Sequence, residues 1–142
     1  MDGVMIAFLP ATDDWCYIDL PHMTLVYSGK VEDHSRNDFI ELAKDAAAVS
    51  NMTREFTTSV MKVGPMGQNE EQVAALIFRR TPELDALRKF VEKWNKSEYK
   101  EFVPHCTIGK YPIDTTNLPK YVRFNRVLLA WGDERMVFSL RP

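Results

Sequence analysis

Leu20-Pro21-His22-Met23-Thr24-Leu25-Val26-Tyr27 and Phe102-Val103-Pro104-His105-Cys106-Thr107-Ile108-Gly109 carry the same pattern, Pro-His-x-Thr, inside an apolar run. The copies lie 83 positions apart (105 minus 22) and take up two of the three histidines in the chain. Apolar runs of this length, rich in Val, Ile and Leu, predict strands. Side chains alternate faces along a strand, so His22 and Thr24 share one face, as do His105 and Thr107. If the two strands face each other, two imidazoles and two hydroxyls converge on one cleft. That set of groups suits acid–base chemistry at a phosphate.

Working outward, Val4 to Leu9 reads as a buried strand ended by Pro10, and a polar segment, ATDDW, leads to the first motif strand at about 18–27. Ser28-Gly29-Lys30 then breaks that strand. Ser35 followed by Asp38 resembles a capping box, and Phe39, Leu42, Ala43, Ala46 and Ala47 repeat at helical spacing, which predicts a helix over 35–49. Strands at 56–63 and 72–79 flank the turn-rich Gly64-Pro65-Met66-Gly67-Gln68-Asn69, a hairpin with its tip there. Thr81-Pro82-Glu83 opens a second helix, with Leu84, Leu87, Val91 and Trp94 as its buried stripe to about residue 97. Lys89, Lys93 and Lys96 fall on its solvated side. The second motif strand follows at 102–110, then strands at 121–130 and 134–140 around a Gly132-Asp133 turn. The order β-β-α-β-β-α-β-β-β predicts an α+β fold with antiparallel pairing and two outer helices.

The chain has 142 residues, 45% of them apolar and 27% charged, which is the composition of one globular domain. A net charge of −2 supplies no global attraction for long duplex nucleic acid, whereas a small nucleotide in a locally basic cleft remains compatible with it. Cys16 and Cys106 fit neither a disulfide framework nor a CxxC metal site. Alternation turns Cys106 to the packed side of its strand. No apolar run is long enough for a membrane span, so the expectation is a cytoplasmic protein, a monomer by default and without membrane partners. No zinc signature, Walker loop or GxSxG elbow is present, so the expected site needs no metal and no cofactor.

Cleaving a phosphodiester in line requires a base for the attacking oxygen and an acid for the leaving oxygen. Histidine serves both roles because its ordinary pKa of about 6.5 lets both protonation states coexist near neutrality. A threonine two residues on, roughly 7 Å along the same face, can hold a non-bridging phosphate oxygen. His22 and His105 are therefore the candidate catalytic pair, and Thr24 and Thr107 the candidate phosphate-binding pair. His34 lacks such a setting and is expected to be exposed and incidental. Tyr27 and Tyr111, just past each motif, and Trp15 and Trp131, in loop-like segments, are candidates for stacking on a base.

With these residues in view, the chain resembles the 2H phosphoesterase superfamily, the LigT-like and cyclic-nucleotide phosphodiesterase group. His22-Met23-Thr24-Leu25 and His105-Cys106-Thr107-Ile108 match its paired His-x-Thr/Ser-x motifs. HMTLVYSGKV resembles its HxTLxFxGxV stretch, and FVPHCTIGKY its FxPHxTLxR stretch. The resemblance implies one domain over 1–142, two pseudo-symmetric lobes of antiparallel sheet, and the motifs meeting in a central cleft. It also implies metal-independent phosphodiesterase activity where a ribose hydroxyl neighbours the phosphorus. Such substrates include RNA ends with 2′,3′-cyclic phosphate, 2′-5′ linkages and cyclic oligonucleotide signals. The opening DWCYIDLPHMTLVYSG is similar to that of small phage members of the anti-CBASS type, which would work in a host cytoplasm. Two departures stand out. The short segment between Leu9 and Pro21 has no helix pattern, which would leave one side of the cleft open for a bulkier or cyclic substrate. The family's basic residue after the second motif is Lys110 here, and strict alternation points it away from the cleft, with a long stem to bring it back. A non-catalytic nucleotide-sequestering module and a 2′-5′ RNA ligase acting in the reverse direction are the rival readings.

Overall fold

The computed structural model describes residues 3–11, 22–49, 56–66, 73–92, 103–110 and 120–140. They form strands β1 (Gly3–Pro10), β2 (Met23–Lys30), β3 (Phe56–Met66), β4 (Val73–Phe78), β5 (His105–Lys110), β6 (Tyr121–Trp131) and β7 (Glu134–Ser139). Helix α1 (Arg36–Val49) follows β2 after a 3-10 turn, and α2 (Pro82–Val91) follows β4. The predicted order of strands and helices is the observed one.

All pairings are antiparallel, in the order β1-β2-β5-β4-β3-β6-β7, and β1 also pairs with β6. The sheet therefore curls back on itself. It has two narrow seams: β2 meets β5 at one pair, Met23 with Cys106, and β3 meets β6 over Phe56–Ser59. Those seams divide the sheet into β2-β1-β6-β7 and β5-β4-β3. The lobes are thus not successive halves of the chain, because β6 and β7 return to the strands that open it.

The helices cover the convex face. Phe39, Leu42, Ala43, Ala46 and Ala47 of α1 and Leu84, Leu87 and Val91 of α2 are buried with Ile6, Phe8, Met23, Leu76, Phe78 and Phe124 of the sheet. Each fully buried Phe or Leu is worth about 1.5–3 kcal/mol, so this layer dominates the stability of the fold. Both predicted helix starts are present: the Ser35 hydroxyl accepts the Asp38 N–H at 3.4 Å, and Thr81 accepts that of Leu84 at 3.2 Å. Arg88 lays its stem into the same layer and bonds Glu92 at 2.8 Å.

Several boundaries differ from expectation. β2 runs on through Ser28-Gly29-Lys30, because Gly3 and Val4 of β1 keep pairing with Lys30 and Ser28. β3 likewise continues through Gly64-Pro65-Met66, paired with Ala75, Ala74 and Val73, so the hairpin tip lies beyond Met66, outside the described residues. α2 closes at Val91, with Glu92 as its cap. The segment between Ala11 and His22, expected to be loop, and the expected helical turns to about residue 97 also lie outside the described residues. His34 is half-buried, edge-on to Phe39 at 5.1 Å between ring centroids, and is not the exposed bystander expected. No helix among the described residues is long and apolar enough to cross a membrane.

Candidate active site

Met23 and Cys106, the central residues of the two motifs, are fully buried on the convex side. Burial in apolar surroundings pushes the Cys106 thiol well up, so it stays protonated and inert. Alternation then turns the flanking residues to the concave face. Carrying the Met23–Cys106 pairing one residue either way sets His22 beside Thr107 and Thr24 beside His105. The two histidines become diagonal neighbours, two residues and one strand apart, or roughly 8 Å between backbones. That gap admits a phosphate between two imidazoles, with a threonine beside each. All four side chains are half-buried.

Both motif strands break their alternation at the same place. Ile6 pairs with Val26 and Ala7 with Thr24, leaving Leu25 as an extra residue in β2. Ala74 pairs with Gly109 and Ala75 with Thr107, leaving Ile108 extra in β5. A β-bulge at the fourth position of each His-x-Thr-x motif bends its strand there and resets which face follows. In β2 the consequence is visible: Leu25 and Val26 are both buried on the convex side, and Tyr27 joins Thr24 on the concave face. In β5 Ile108 is buried at the bulge and Gly109 takes φ 152°, a conformation that suits glycine.

Local bonds fix the groups. His105 Nδ1 lies 2.7 Å from the Val103 carbonyl oxygen. A carbonyl can only accept, so Nδ1 donates here and Nε2 is left free of this bond. Pro104, between them, is buried, and its carbonyl accepts the Phe78 N–H at 2.9 Å, tying the start of β5 to β4. The Thr24 hydroxyl donates to Met5 Sδ at 3.3 Å. Sulfur is a weak acceptor, so a phosphate oxygen would readily displace it. The floor beside the motifs is built of small or apolar residues: Ala7 and Leu9 on one side, Ala75 and Ile77 on the other.

The remaining sequence candidates divide. Tyr27 packs beside Met5 on the concave face, its hydroxyl lying where a side chain on Gly3 would stand. Trp131 does not reach the cleft: it pairs with Val4 on the convex side and its ring lies 5.8 Å from that of Phe39. It is half-buried against the edge of the core, at the end of β6, and the turn begins one residue later, at Gly132. Lys110 pairs with Val73 beyond the bulge, so strict alternation does not govern its place. Trp15 and Tyr111 lie outside the described residues. Sequence reading missed Arg126, which enters the concave face through a third bulge, at Asn125. The signal was present in β6, where the apolar positions 122, 124, 127 and 129 skip a step.

Comparisons with known proteins bear on the fold and on the superfamily. No curated protein matches the chain. Among solved structures, protein TT0787 of Thermus thermophilus superposes with a TM-score of 0.61 at 15% identity, covering 98% of both chains. E. coli LigT complexed with 3′-AMP gives a TM-score of 0.54 at 14% identity, covering 99% of each chain. The same protein complexed with ATP gives 0.51 at 17% identity, over 99% of this chain and 95% of that one. These likenesses establish the LigT-like fold. The sequence model of the 2′-5′ RNA ligase superfamily matches residues 13–131, a span that includes both His-x-Thr motifs, and the chain belongs to that superfamily.

Proposed function

We propose that the protein is a metal-independent phosphodiesterase acting on cyclic or 2′-hydroxyl-adjacent nucleotide phosphodiesters, with His22 and His105 as its acid–base pair. The observation that carries this reading is the diagonal placement of two histidines across one strand seam, each beside a threonine. In the reaction, one neutral imidazole takes a proton from the attacking water as its oxygen bonds to phosphorus. The other, protonated, gives a proton to the oxygen whose bond to phosphorus breaks. Thr24 and Thr107 would hold the non-bridging oxygens in line. The Val103 carbonyl keeps His105 Nε2 as the exchanging nitrogen in either protonation state, so the residue can act as base in one step and acid in the reverse.

Tyr27, on the concave face, is the described aromatic that best fits a base-stacking role; Tyr111, Trp15 and Lys110 remain candidates for substrate contact on sequence grounds. That E. coli LigT was crystallised with 3′-AMP and with ATP favours a small nucleotide as the ligand class here. The finer reading, a phage enzyme that degrades cyclic oligonucleotide immune signals, is supported by the resemblance of the opening stretch alone. RNA-end processing is its rival at the same site.

One incubation series in EDTA tests the reading, wild type beside His105→Ala, analysed by mass spectrometry. It would contain 2′,3′-cyclic mononucleotides, linear 2′-5′ and 3′-5′ dinucleotides, and cyclic di- and trinucleotides. Turnover of cyclic oligonucleotides, lost in the variant, supports signal degradation, and turnover of 2′,3′-cyclic phosphates alone supports RNA-end processing. Binding without turnover of any substrate would replace both with the sequestering module. Loss of turnover in EDTA with rescue by a divalent ion would sink the two-histidine mechanism.

A further inference from the structure

The concave wall carries a cation that the acid–base mechanism does not use. β6 runs Val122-Arg123-Phe124-Asn125-Arg126-Val127, and Val122, Phe124 and Val127 all face the helices. Without a bulge, Arg126 would follow Phe124 into that apolar layer, where an unpaired guanidinium costs far more than a bulge. Asn125 is instead the extra residue between the pairs Pro10–Phe124 and Leu9–Arg126. Arg126 therefore stands with Leu9, Leu128 and Ala130 on the face that carries the histidines.

Its guanidinium is held in place. One N–H donates to the Pro10 carbonyl at 2.6 Å and another to Asn125 Oδ1 at 3.0 Å. That commits two of the five N–H donors of an arginine. Among the described residues no carboxylate pairs with it. A fixed, half-buried arginine fork on the wall of a cleft is suited to a phosphate.

Register gives its distance from the chemistry. Phe8 pairs with Met23, so the next step along the ladder sets Leu9 beside His22, and Leu9 pairs on its other side with Arg126. One row thus crosses the concave face as Arg126, Leu9, His22, Thr107, Ala75 and Gly64. Arg126 is two strands from His22, roughly 10 Å between backbones. Leu9 between them offers no polar group, so the arginine addresses a different phosphate from the one between the imidazoles. In the other direction the row ends in Ala75 and Gly64, which carry no charge.

We propose that Arg126 is a second phosphate-binding position, and that the preferred substrate carries a phosphodiester next to the one that is cleaved. This rests on the phosphodiesterase reading and narrows it to dinucleotides and cyclic oligonucleotides over mononucleotides. A charge-assisted pair of this kind is worth roughly 10- to 100-fold in kcat/KM.

The test compares two substrates that differ in one charge: a diadenosine ending in 2′,3′-cyclic phosphate, with its internal linkage either an ordinary phosphodiester or a neutral methylphosphonate. Wild type should favour the charged linkage by about 10-fold or more, and Arg126→Gln, whose amide can still donate to the Pro10 carbonyl, should reduce that ratio to about twofold. Arg126→Lys should keep part of it, and serves if the glutamine variant melts early. An equal preference in Arg126→Gln and wild type, or none in wild type, overturns the proposal. If wild type cleaves neither substrate, the catalytic reading has failed separately. The arginine is then judged by calorimetric binding of the two linkages to the same variants, with the same ratios deciding.

Discussion

β2 and β5 are built to one plan and finished differently. Each begins at or just after the histidine of a His-x-Thr motif, buries the x residue, and places a bulge one residue after the threonine. Beyond the bulge the copies part. β2 continues into Val26 and Tyr27 and stays paired with β1 to Lys30. β5 continues into Gly109 at φ 152° and ends at Lys110. His105 is tied by its own strand entry, through Val103, while Thr24 is tied by a neighbouring strand, through Met5. The proposed reacting groups are repeated and the walls are not, so on that proposal the site should treat the two sides of a phosphodiester symmetrically in proton transfer and asymmetrically in recognition.

Breaking the symmetric part should have the largest effect. His22→Ala and His105→Ala are each expected to lower kcat by about 10²–10⁴-fold, because each removes one proton-transfer partner. Circular dichroism and melting should stay close to wild type, since both side chains line the cleft. The pH–rate profile sharpens the comparison. Wild type should show two limbs, because one imidazole must be neutral and the other charged, and each variant should lose one limb. Loss of the same limb in both variants would mean that the two histidines do not divide the roles.

The buried partners of the same motifs should behave in the opposite way. Met23→Ala empties a fully buried position between the helices and the seam, and should cost about 2–5 kcal/mol in denaturant unfolding. Cys106→Ala removes one sulfur from the facing position and should cost about 1 kcal/mol. If Met23→Ala retained its stability while losing activity, the face assignment of β2 would be inverted. A loss between those two is expected where the copies diverge. Gly109→Ala places a Cβ at a backbone conformation that ordinary residues avoid, a strain of about 1–3 kcal/mol in equilibrium unfolding.

Much of this was legible in sequence because period-2 alternation, helix caps and a duplicated motif are local signals. Thr81 and Ser35 announced their helices, and His22, Thr24, His105 and Thr107 announced a shared face. Bulges are the part that alternation cannot carry. Leu25, Ile108 and Asn125 each shift the count by one, which is why Tyr27 and Arg126 face the cleft. Trp131 shows a different ambiguity. A large aromatic next to a Gly-Asp turn has the composition of a loop, yet its pairing with Val4 and its contact with Phe39 set it against the core on the helix side. The seam itself, one residue pair long, leaves no mark in either strand, because it depends on how the sheet closes.

The smallest effect concerns how α1 and β7 are held together. α1 follows the first motif strand and β7 is the last strand, and Arg36 joins them through Glu134, at 3.0 Å and 2.6 Å. The hydrogen bond from Arg36 holds the Glu134 carboxyl below its usual range, with burial opposing and the arginine's charge assisting. A carboxylate whose folded-state pKa is depressed stabilises the fold above its unfolded-state pKa, and that contribution disappears as pH falls through the folded value. The pair stands in solvent, so salt screens it and its worth is small. Glu134→Gln should therefore lower the melting temperature slightly at neutral pH and low salt. The difference should close at high salt and again below the ordinary carboxylate range. A difference that survived acid would assign the effect to packing of β7 against α1, and the link between first motif and last strand would then be apolar.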